Sequence, residues 1–207
     1  MNKKWLFSLG CLGILIFLGV AVLLWGVGIY NSLVTKDQAC NAQWSQVENV
    51  YQRRADLIPN LVSTVSGAAN FEKSTLTEIT EARAQVGQVK LNVDGKTPDT
   101  ANFAAFQKAQ DGLSSALSRL MVVVERYPDL KANEGFMGLQ AQLEGTENRI
   151  SVERGRFNEV VQEFNTGVKR FPAVLIAGIL GFNPKPYFQA TAGAEKAPEV
   201  KFDFQKK

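Results

Sequence analysis

The chain has 207 residues, a net charge of +3 and no histidine. Because histidine is the commonest metal ligand and the usual general base, its absence argues against a metallohydrolase and against a serine–histidine enzyme. The near balance of charge argues against nucleic-acid binding, which requires a concentrated basic face. The two cysteines, Cys11 and Cys40, lie too far apart along a helix for an intrachain disulfide.

A transmembrane helix over residues 5–34 is the first predicted element. No charged residue occurs from Trp5 to Thr35, and about 20 apolar residues are enough to span a bilayer. A cleaved signal peptide is the alternative, but the run is too long and no convincing cleavage site of small residues closes it. We therefore interpret the run as a permanent anchor.

The charges around this helix predict its orientation. Lys3 and Lys4 belong to a short basic tail over residues 1–4, whereas Lys36 alone lies directly beyond the helix. Since basic residues favour the cytoplasmic side, we expect a single-pass protein with its amino end in the cytoplasm. Its large carboxy-terminal domain is expected outside the cytoplasm.

Two features near the membrane predict self-association into a homo-oligomer. Gly19 and Gly26 are seven residues apart and leave a face on which a second helix can approach closely. Cys40 lies on the helix that leaves the membrane, so neighbouring copies are expected to bring their thiols together.

An unbroken helix is predicted to leave the membrane and enter a helical bundle over residues 35–170. The spacing of a buried helix face recurs at Trp44, Val47, Tyr51, Ala55, Ile58, Val62, Val65 and Ala69. The same spacing continues to Val89, so we expect one helical rod that ends before a turn over residues 92–96. A rod of that length is not stable alone and requires partner helices.

A polar row runs beside this apolar stripe, at Asn49, Arg53, Asp56 and Asn60. Pro59 lies inside the same pattern and removes the hydrogen bond to the Ala55 carbonyl. We favour a kink over a helix end at Pro59, because the apolar spacing passes it without a change of phase. The freed carbonyl needs a new donor, and the donors predicted for it are Arg53, Arg54 and Asn60.

Two further long helices complete the predicted bundle, with the spacing typical of coiled coils. Thr97 followed by Pro98 predicts the start of the first. Its buried face is predicted at Phe103, Phe106, Gln110, Leu113, Leu117, Leu120, Val124 and Tyr127. The second starts after Asn133, with its buried face at Phe136, Leu139, Leu143, Thr146, Ile150, Glu153, Phe157, Val160, Phe164 and Phe171. Glu153 is the exceptional member, a carboxylate at a core position.

The carboxy-terminal part divides into two segments. Residues 171–188 begin with an apolar stretch that is too short to cross a bilayer. We favour packing of this stretch on the end of the bundle over a position in the membrane interface. In the tail, residues 189–207, the alternation of Val200, Phe202 and Phe204 indicates a half-buried strand, whereas the scarcity of other apolar residues indicates disorder. Both interpretations stay open.

Several motifs in fixed order carry a resemblance to a known family. They are VENVYQRRADLIPNLV at 47–62, EK at 72–73, ARA at 82–84, RYPDLKANE at 126–134, LEGTENRI at 143–150, FN at 157–158 and RFP at 170–172. With these motifs the chain resembles the LemA family of bacterial membrane proteins, from the membrane segment to about Phe188. The resemblance implies a helical bundle on a membrane anchor, with no established catalytic activity for the family. It also implies the bacterial inner membrane, so we expect the large domain in the periplasm or outside the cell.

Dense polar groups on the first and last long helices are predicted to form one interhelical network. The predicted members are Arg53, Arg54, Asp56, Asn60, Glu147, Asn148, Arg149 and Glu153. A buried charge is costly unless the opposite charge is close, so we expect one of the two arginines to meet Glu147 or Glu153. Asp56 is expected to meet Arg149. The predicted role is helix register at the level of Pro59, because no nucleophile or metal-ligand set accompanies these residues.

These elements predict an all-α protein, in which a single transmembrane helix continues into a long antiparallel bundle of three or four helices. The predicted function is that of a membrane-anchored structural or scaffolding protein, without enzyme activity or cofactor, that acts through protein–protein contacts and self-assembly. The alternative is an accessory subunit that regulates a membrane enzyme such as a protease. The expected partners are the lipid bilayer, further copies of the chain and a membrane protein, and nucleic acid is not among them.

Overall fold

The computed structural model describes residues 3–68, 71–90 and 97–189, and these ranges contain helices and no strand. The helices are α1 (Lys3–Ser66), α2 (Lys73–Lys90), α3 (Thr100–Val124), α4 (Pro128–Lys131) and α5 (Glu134–Lys169), followed by a 3₁₀-helix at Ala173–Leu175. The predicted all-α fold is confirmed, with an apolar amino-terminal helix that is continuous with a helical bundle.

α1 changes character along its length. From Leu12 to Gly28 its side chains are almost all exposed, and this apolar part is long enough to cross a membrane. From Leu33 onward, buried positions recur every three or four residues, and they form the face that packs on the bundle. The helix passes through Pro59 without ending. The kink at Pro59 stays a prediction.

The predicted continuation of the first helix to Val89 is wrong. α1 ends at Ser66 and, after a turn, the separate helix α2 begins at Lys73. The apolar spacing survives this break because Val65 before it and Phe71 after it are buried in the same core. Periodicity does not distinguish one rod from two helices that share a core.

α2 runs back along α1 and supplies the hydrogen bond that Pro59 removes. Arg83 Nε donates to the Ala55 carbonyl at 3.1 Å. The donor therefore comes from the neighbouring helix, which faces this carbonyl from outside α1. The donors predicted on α1 itself are wrong, namely Arg53, Arg54 and Asn60.

The long helices α1, α2, α3 and α5 form an up-and-down bundle with two hydrophobic cores stacked along its axis. The proximal core, next to the membrane part of α1, contains Leu33, Cys40, Trp44, Val47, Tyr51, Phe103, Phe106, Ile150, Phe157, Val161, Phe164, Val168, Ala173, Ala177 and Phe188. The distal core, farther from the membrane part, contains Ile58, Leu61, Val65, Phe71, Ile79, Val86, Leu113, Ala116, Leu117, Leu120, Val124, Leu130, Phe136 and Leu143. α1 packs mainly on α5, and α2 mainly on α3.

Capping side chains determine where α3 and α5 begin. α5 begins after Asn133 as predicted, and the Asn133 side chain accepts a hydrogen bond from the first helical turn at 3.1 Å. For α3 the predicted start is wrong, because the cap is Asp99, which accepts from the first turn at 2.8 Å. The Thr97 hydroxyl instead donates to Asn41 of α1 at 2.8 Å and ties the end of the loop to the bundle.

The segment after α5 packs part of its apolar residues on the bundle. Ala173 and Ala177 are buried in the proximal core, and Phe182 packs against it. Residues 182–189 then run extended along α5. The predicted strand in the tail, the turn at 92–96, Ala69, and the side chains of Lys3 and Lys4 lie outside the described residues.

Candidate functional site

A layer of polar side chains separates the two cores at the middle of the bundle. Arg54 of α1 lies about one turn after Tyr51 of the proximal core and one turn before Ile58 of the distal core. Gln110 of α3 and Glu147 of α5 lie at the same level of the bundle and contact Arg54. We refer to four residues as the polar layer: Arg54, Gln110, Ser114 and Glu147.

Arg54 is the centre of the polar layer, with only 2% of its side chain exposed. One terminal nitrogen donates to Ser114 Oγ at 2.7 Å and to both carboxylate oxygens of Glu147, at 2.7 and 3.1 Å. The other donates to the backbone carbonyl and to the side-chain oxygen of Gln110. Ser114 in turn donates to Glu147 at 3.1 Å. One planar guanidinium thus joins three helices, which its fixed set of donors suits.

A cavity of about 440 Å³ opens beside the polar layer. The charged residues that line it are Arg54, Asp111, Glu147 and Arg154. Arg154 stacks on the Phe188 ring, with Cζ 4.6 Å from the ring centroid, so the extended carboxy-terminal segment forms one wall. Because the positive and negative charges of the lining balance, the cavity suits a neutral or zwitterionic polar group better than an ion.

Burial keeps the Cys40 thiol and the Tyr51 hydroxyl in their neutral forms. It raises the pKa of the Cys40 thiol to about 11, against the opposing charge of Lys185. It also raises the pKa of the Tyr51 hydroxyl, which lines the cavity. A protonated thiol or phenol is a poor nucleophile. Among the residues whose side chains the structure describes, no three acidic or cysteine side chains form a group that would hold a metal ion.

Two asparagines on α5 hold the extended segment in register, and the sequence pattern did not predict them. Asn165 exchanges two hydrogen bonds with the backbone of Lys185, at 2.8 and 2.9 Å. Asn158 exchanges two with the backbone of Phe188, at 2.9 and 3.0 Å. Seven residues of helix rise about 10.5 Å and three residues of extended chain span about 10 Å, so the two spacings match. We call Asn158 and Asn165 the asparagine brackets; their signals in the sequence are a shared helix face and, for Asn158, its place in the FN motif at 157–158.

The structure brings together one predicted interhelical pair, Arg54 with Glu147. The polar row of α1 lies in solvent instead of in the bundle. Its members, all exposed, are Asn49, Arg53, Asp56 and Asn60. Asn148 and Arg149 of α5 are exposed as well. Arg53 and Arg54 differ by about 100° around the helix axis, and that rotation separates solvent from core.

One predicted contact is wrong, because Asp56 accepts a hydrogen bond from Gln52 on its own helix and does not reach Arg149. Glu153, the alternative partner predicted for the arginines of α1, instead accepts from Gln43 of α1 at 2.6 Å and from Arg156 of its own helix at 2.8 Å. The Glu153 side chain is 16% exposed, because it lies at the border of the buried face rather than inside it. Residue spacing alone does not separate the border of a face from its centre.

Cys40 is not available for contacts between copies. Its side chain is fully buried in the proximal core, and its thiol donates to the Val160 carbonyl at 3.4 Å. The predicted Cys40-dependent crosslink is therefore wrong, because the face that carries Cys40 is the one that packs on α5. A side chain added at Gly19 or Gly26 would meet nothing within 4 Å. Their contact with a second helix stays a prediction.

Comparison with known proteins gives consistent matches. The model of the LemA family matches residues 43–202. Magnetosome proteins MamQ 2 and MamQ 1 of Paramagnetospirillum magneticum are each 29% identical over 175 residues, or 77% of this chain. That alignment spans 64% of the length of those two relatives, which is less than two thirds. Protein LemA of Metamycoplasma hominis is 24% identical over 165 residues, covering 80% of this chain and 71% of that protein.

Proposed function

The chain belongs to the LemA family, and from that membership we propose that it is a membrane-anchored scaffold, without catalytic activity, that acts through protein–protein contacts. Membership confirms the resemblance that its sequence motifs carry. The chain is a single-pass membrane protein with a helical bundle. Two observations together support this: its relatives are bacterial, and its amino-terminal helix is apolar and long enough to cross a membrane. The scaffolding role is the step that we add.

The observation that carries this proposal is the continuity of α1 from the membrane into the bundle. α1 has 64 residues, and its length is about 96 Å at the usual rise per residue. The polar layer at Arg54 lies about 27 Å beyond Lys36 along the same helix. Because α1 is helical without interruption from the membrane part to Arg54, it holds the bundle and its cavity at a constant height above the membrane. A constant height suits a scaffold.

Self-assembly is the first kind of contact that we propose. Gly19 and Gly26 leave a strip on the membrane part of α1 where a second α1 can approach closely. The test is the mass of the detergent-solubilised particle, measured by light scattering, for the native chain and for a Gly19→Leu, Gly26→Leu double variant. We expect an oligomer for the native chain and a lower mass for the variant.

The matched control is Gly13→Leu, which adds the same side chain on another face of the membrane helix. It should leave the particle mass unchanged, because Gly13 lies about 240° around the axis from Gly19. A monomeric native particle would contradict self-assembly. Equal losses in the variant and the control would assign the effect to the membrane helix as a whole.

The second candidate is an accessory subunit that regulates a membrane enzyme, and the cavity beside the polar layer favours it. The cavity is open to one side, and an extended chain segment already forms one of its walls. Ser151→Trp on α5 would fill the cavity, whereas the neighbouring Val152, 52% exposed, does not line it. A partner that co-purifies in constant ratio, and is lost with Ser151→Trp but kept with Val152→Trp, would support this function. A partner kept in both would contradict it.

We further propose that the bundle lies outside the cytoplasm, because Lys3 and Lys4 precede the membrane helix and Lys36 alone follows it closely. An alkaline phosphatase fused to the carboxy terminus should be active. A fluorescent protein that matures only in the cytoplasm should be dark at the same position. The reverse pair of results would place the bundle in the cytoplasm.

A further inference from the structure

The apolar loop, residues 171–181, turns two faces in different directions. One face packs on the proximal core through Ala173 and Ala177. The other is exposed and carries Phe171, Val174, Leu175, Ile179 and Leu180. Ile179 is 86% exposed and Phe171 is 74% exposed. A cluster of exposed large apolar residues in so short a segment indicates an interaction surface.

The apolar loop lies beside the part of α1 that leaves the membrane. A groove of about 580 Å³ separates them, lined on one side by α1 residues from Leu24 to Lys36 and on the other by residues 170–173. Just beyond the loop, Phe182 contacts Tyr30 edge to face, with ring centroids 5.8 Å apart. From Leu24 to Lys36 the helix rises about 18 Å and reaches its first charged residue after the apolar run. The loop therefore lies at the level where the bilayer meets water.

Part of the backbone of the apolar loop is hydrogen-bonded within the loop and its two ends. The amides of seven residues donate to carbonyls between Arg170 and Gly178, namely those of Val174, Leu175, Ile176, Ala177, Leu180, Gly181 and Phe182. Gly181, with a φ of 83°, makes the turn that returns the chain to the bundle. Lipid tails provide no partner for free backbone groups, so a loop with this degree of pairing suits the interface, where the remaining groups reach hydrated headgroups.

Basic residues border the apolar loop at its base. Lys169 and Arg170 precede it, and Lys36 faces it across the groove. No charged residue occurs from 171 to 182. Apolar side chains next to basic ones are the arrangement of segments that lie in a membrane interface, with the cations at the level of the lipid phosphates.

We propose that the apolar loop lies in the interface of the bilayer leaflet on the bundle side of α1, so that the protein contacts the membrane at two points. The exposed apolar face is covered by the boundary between the headgroups and the acyl chains of the same bilayer that α1 crosses. Continuity with the exposed membrane part of α1 favours lipid over a second copy of the chain. Two points of contact, unlike one, fix the tilt and rotation of the bundle above the membrane.

The test places a nitroxide spin label at Ile179→Cys in the full-length protein, with Cys11→Ser in the background. Cys40 stays unlabelled because it is fully buried. After reconstitution into phosphatidylethanolamine–phosphatidylglycerol vesicles, the accessibility of the label to oxygen and to a water-soluble nickel chelate is measured. Oxygen concentrates in the acyl-chain region, so we expect at least a threefold ratio of oxygen to nickel accessibility at this position.

The matched control is Val122→Cys on α3, which is 71% exposed at the level of the distal core. Its label should show the opposite preference, with nickel accessibility dominant. If the Ile179 variant does not fold, Leu175→Cys, 65% exposed on the same face, replaces it. Accessibility equal to that at Val122 would overturn the proposal. A label shielded from both reagents would overturn it too, because protein would then cover the face.

Discussion

The proximal and distal cores share three helices and differ in the element that closes the bundle. In the distal core, α2 closes it beside α1, α3 and α5. In the proximal core, the residues that follow α5 take most of that place, through Ala173 and Ala177 of the apolar loop and Phe188 of the extended residues 182–189. Extended chain presents fewer side chains per length of bundle than a helix does, so larger side chains have to fill the same space. Aromatic residues are therefore concentrated in the proximal core.

Trp44 shows how the proximal core is filled. Its ring centroid lies 5.1 to 6.1 Å from those of four phenylalanines, Phe103, Phe106, Phe157 and Phe188. The distal core consists mainly of leucine, isoleucine and valine. One core therefore depends on contacts with the residues that follow α5, and the other on the hairpin of α1 and α2.

The largest effect is expected from truncating the centre of each core. Trp44→Ala should lower the free energy of unfolding by about 4 kcal/mol and Leu61→Ala in the distal core by about 3 kcal/mol. Urea unfolding in detergent measures both. Hydrogen exchange should separate them, because the loss of Trp44 removes the surface on which Phe188 packs. Faster hydrogen exchange of residues 182–189 in the Leu61 variant, or unchanged exchange of these residues in the Trp44 variant, would contradict this difference between the two cores.

The polar layer between the cores gives the next largest effect. Arg54→Met should cost about 3 kcal/mol, at the low end for a buried pair because Glu147 is 46% exposed and remains hydrated. The adjacent Arg53→Met is the matched control, and it should change stability by less than about 0.5 kcal/mol because Arg53 is exposed. Combined with Glu147→Gln, Arg54→Met should cost less than the sum of the single changes. Strict additivity would show that the pair is not coupled.

The asparagine brackets test whether the extended segment is a real wall of the proximal core. Asn158→Ala removes two hydrogen bonds to Phe188 and should cost about 2 kcal/mol. Its measured signature is faster exchange of the Phe188 amide, with the distal core unchanged. Asn148→Ala, on an exposed position of the same helix, is the control and should leave both quantities unchanged. Equal effects of the two changes would contradict the role of the brackets.

The α1–α2 contact of the distal half is tested at Arg83. Arg83→Met should cost about 1 kcal/mol, because it removes the donor to the Ala55 carbonyl. In a Pro59→Ala background, the new amide at position 59 can satisfy that carbonyl, so the same change should cost less. Thermal unfolding of the four proteins measures the difference. An undiminished cost in that background would show that Arg83 acts through another contact.

The smallest effect near neutral pH comes from Cys40. Its pKa is raised from 9.0 to about 11 in the folded protein, so between these values the unfolded state loses a proton that the folded state keeps. The free energy of unfolding therefore falls as pH rises through this window and is unaffected below it. Tyr51 shifts in the same direction, so Cys40→Ala should reduce the slope without abolishing it. An unchanged slope would exclude Cys40 as a cause.

The helical class, the membrane helix and most of the buried faces follow from the sequence alone. Apolar spacing and the length of an uncharged run are local properties, and the buried face of α3 follows them from Phe103 to Val124. Because a buried charge needs an opposite charge nearby, the sequence also predicted an ion pair between Arg53 or Arg54 and Glu147 or Glu153. The asparagine brackets were missed because their partners are backbone groups, which no side-chain pattern marks.

Tertiary packing was needed to show where α1 ends and which arginine turns inward. It also showed that Glu153 lies at the border of the bundle and Cys40 at its centre. A helix break between two segments of one core leaves the apolar spacing intact, so the spacing hid the end of α1 at Ser66 although Gly67, a common helix stop residue, follows it directly. A residue at the border of a face is buried or exposed according to a small rotation of its helix. That rotation is determined by the neighbouring helices and, in the proximal core, by the segment that returns from the end of α5.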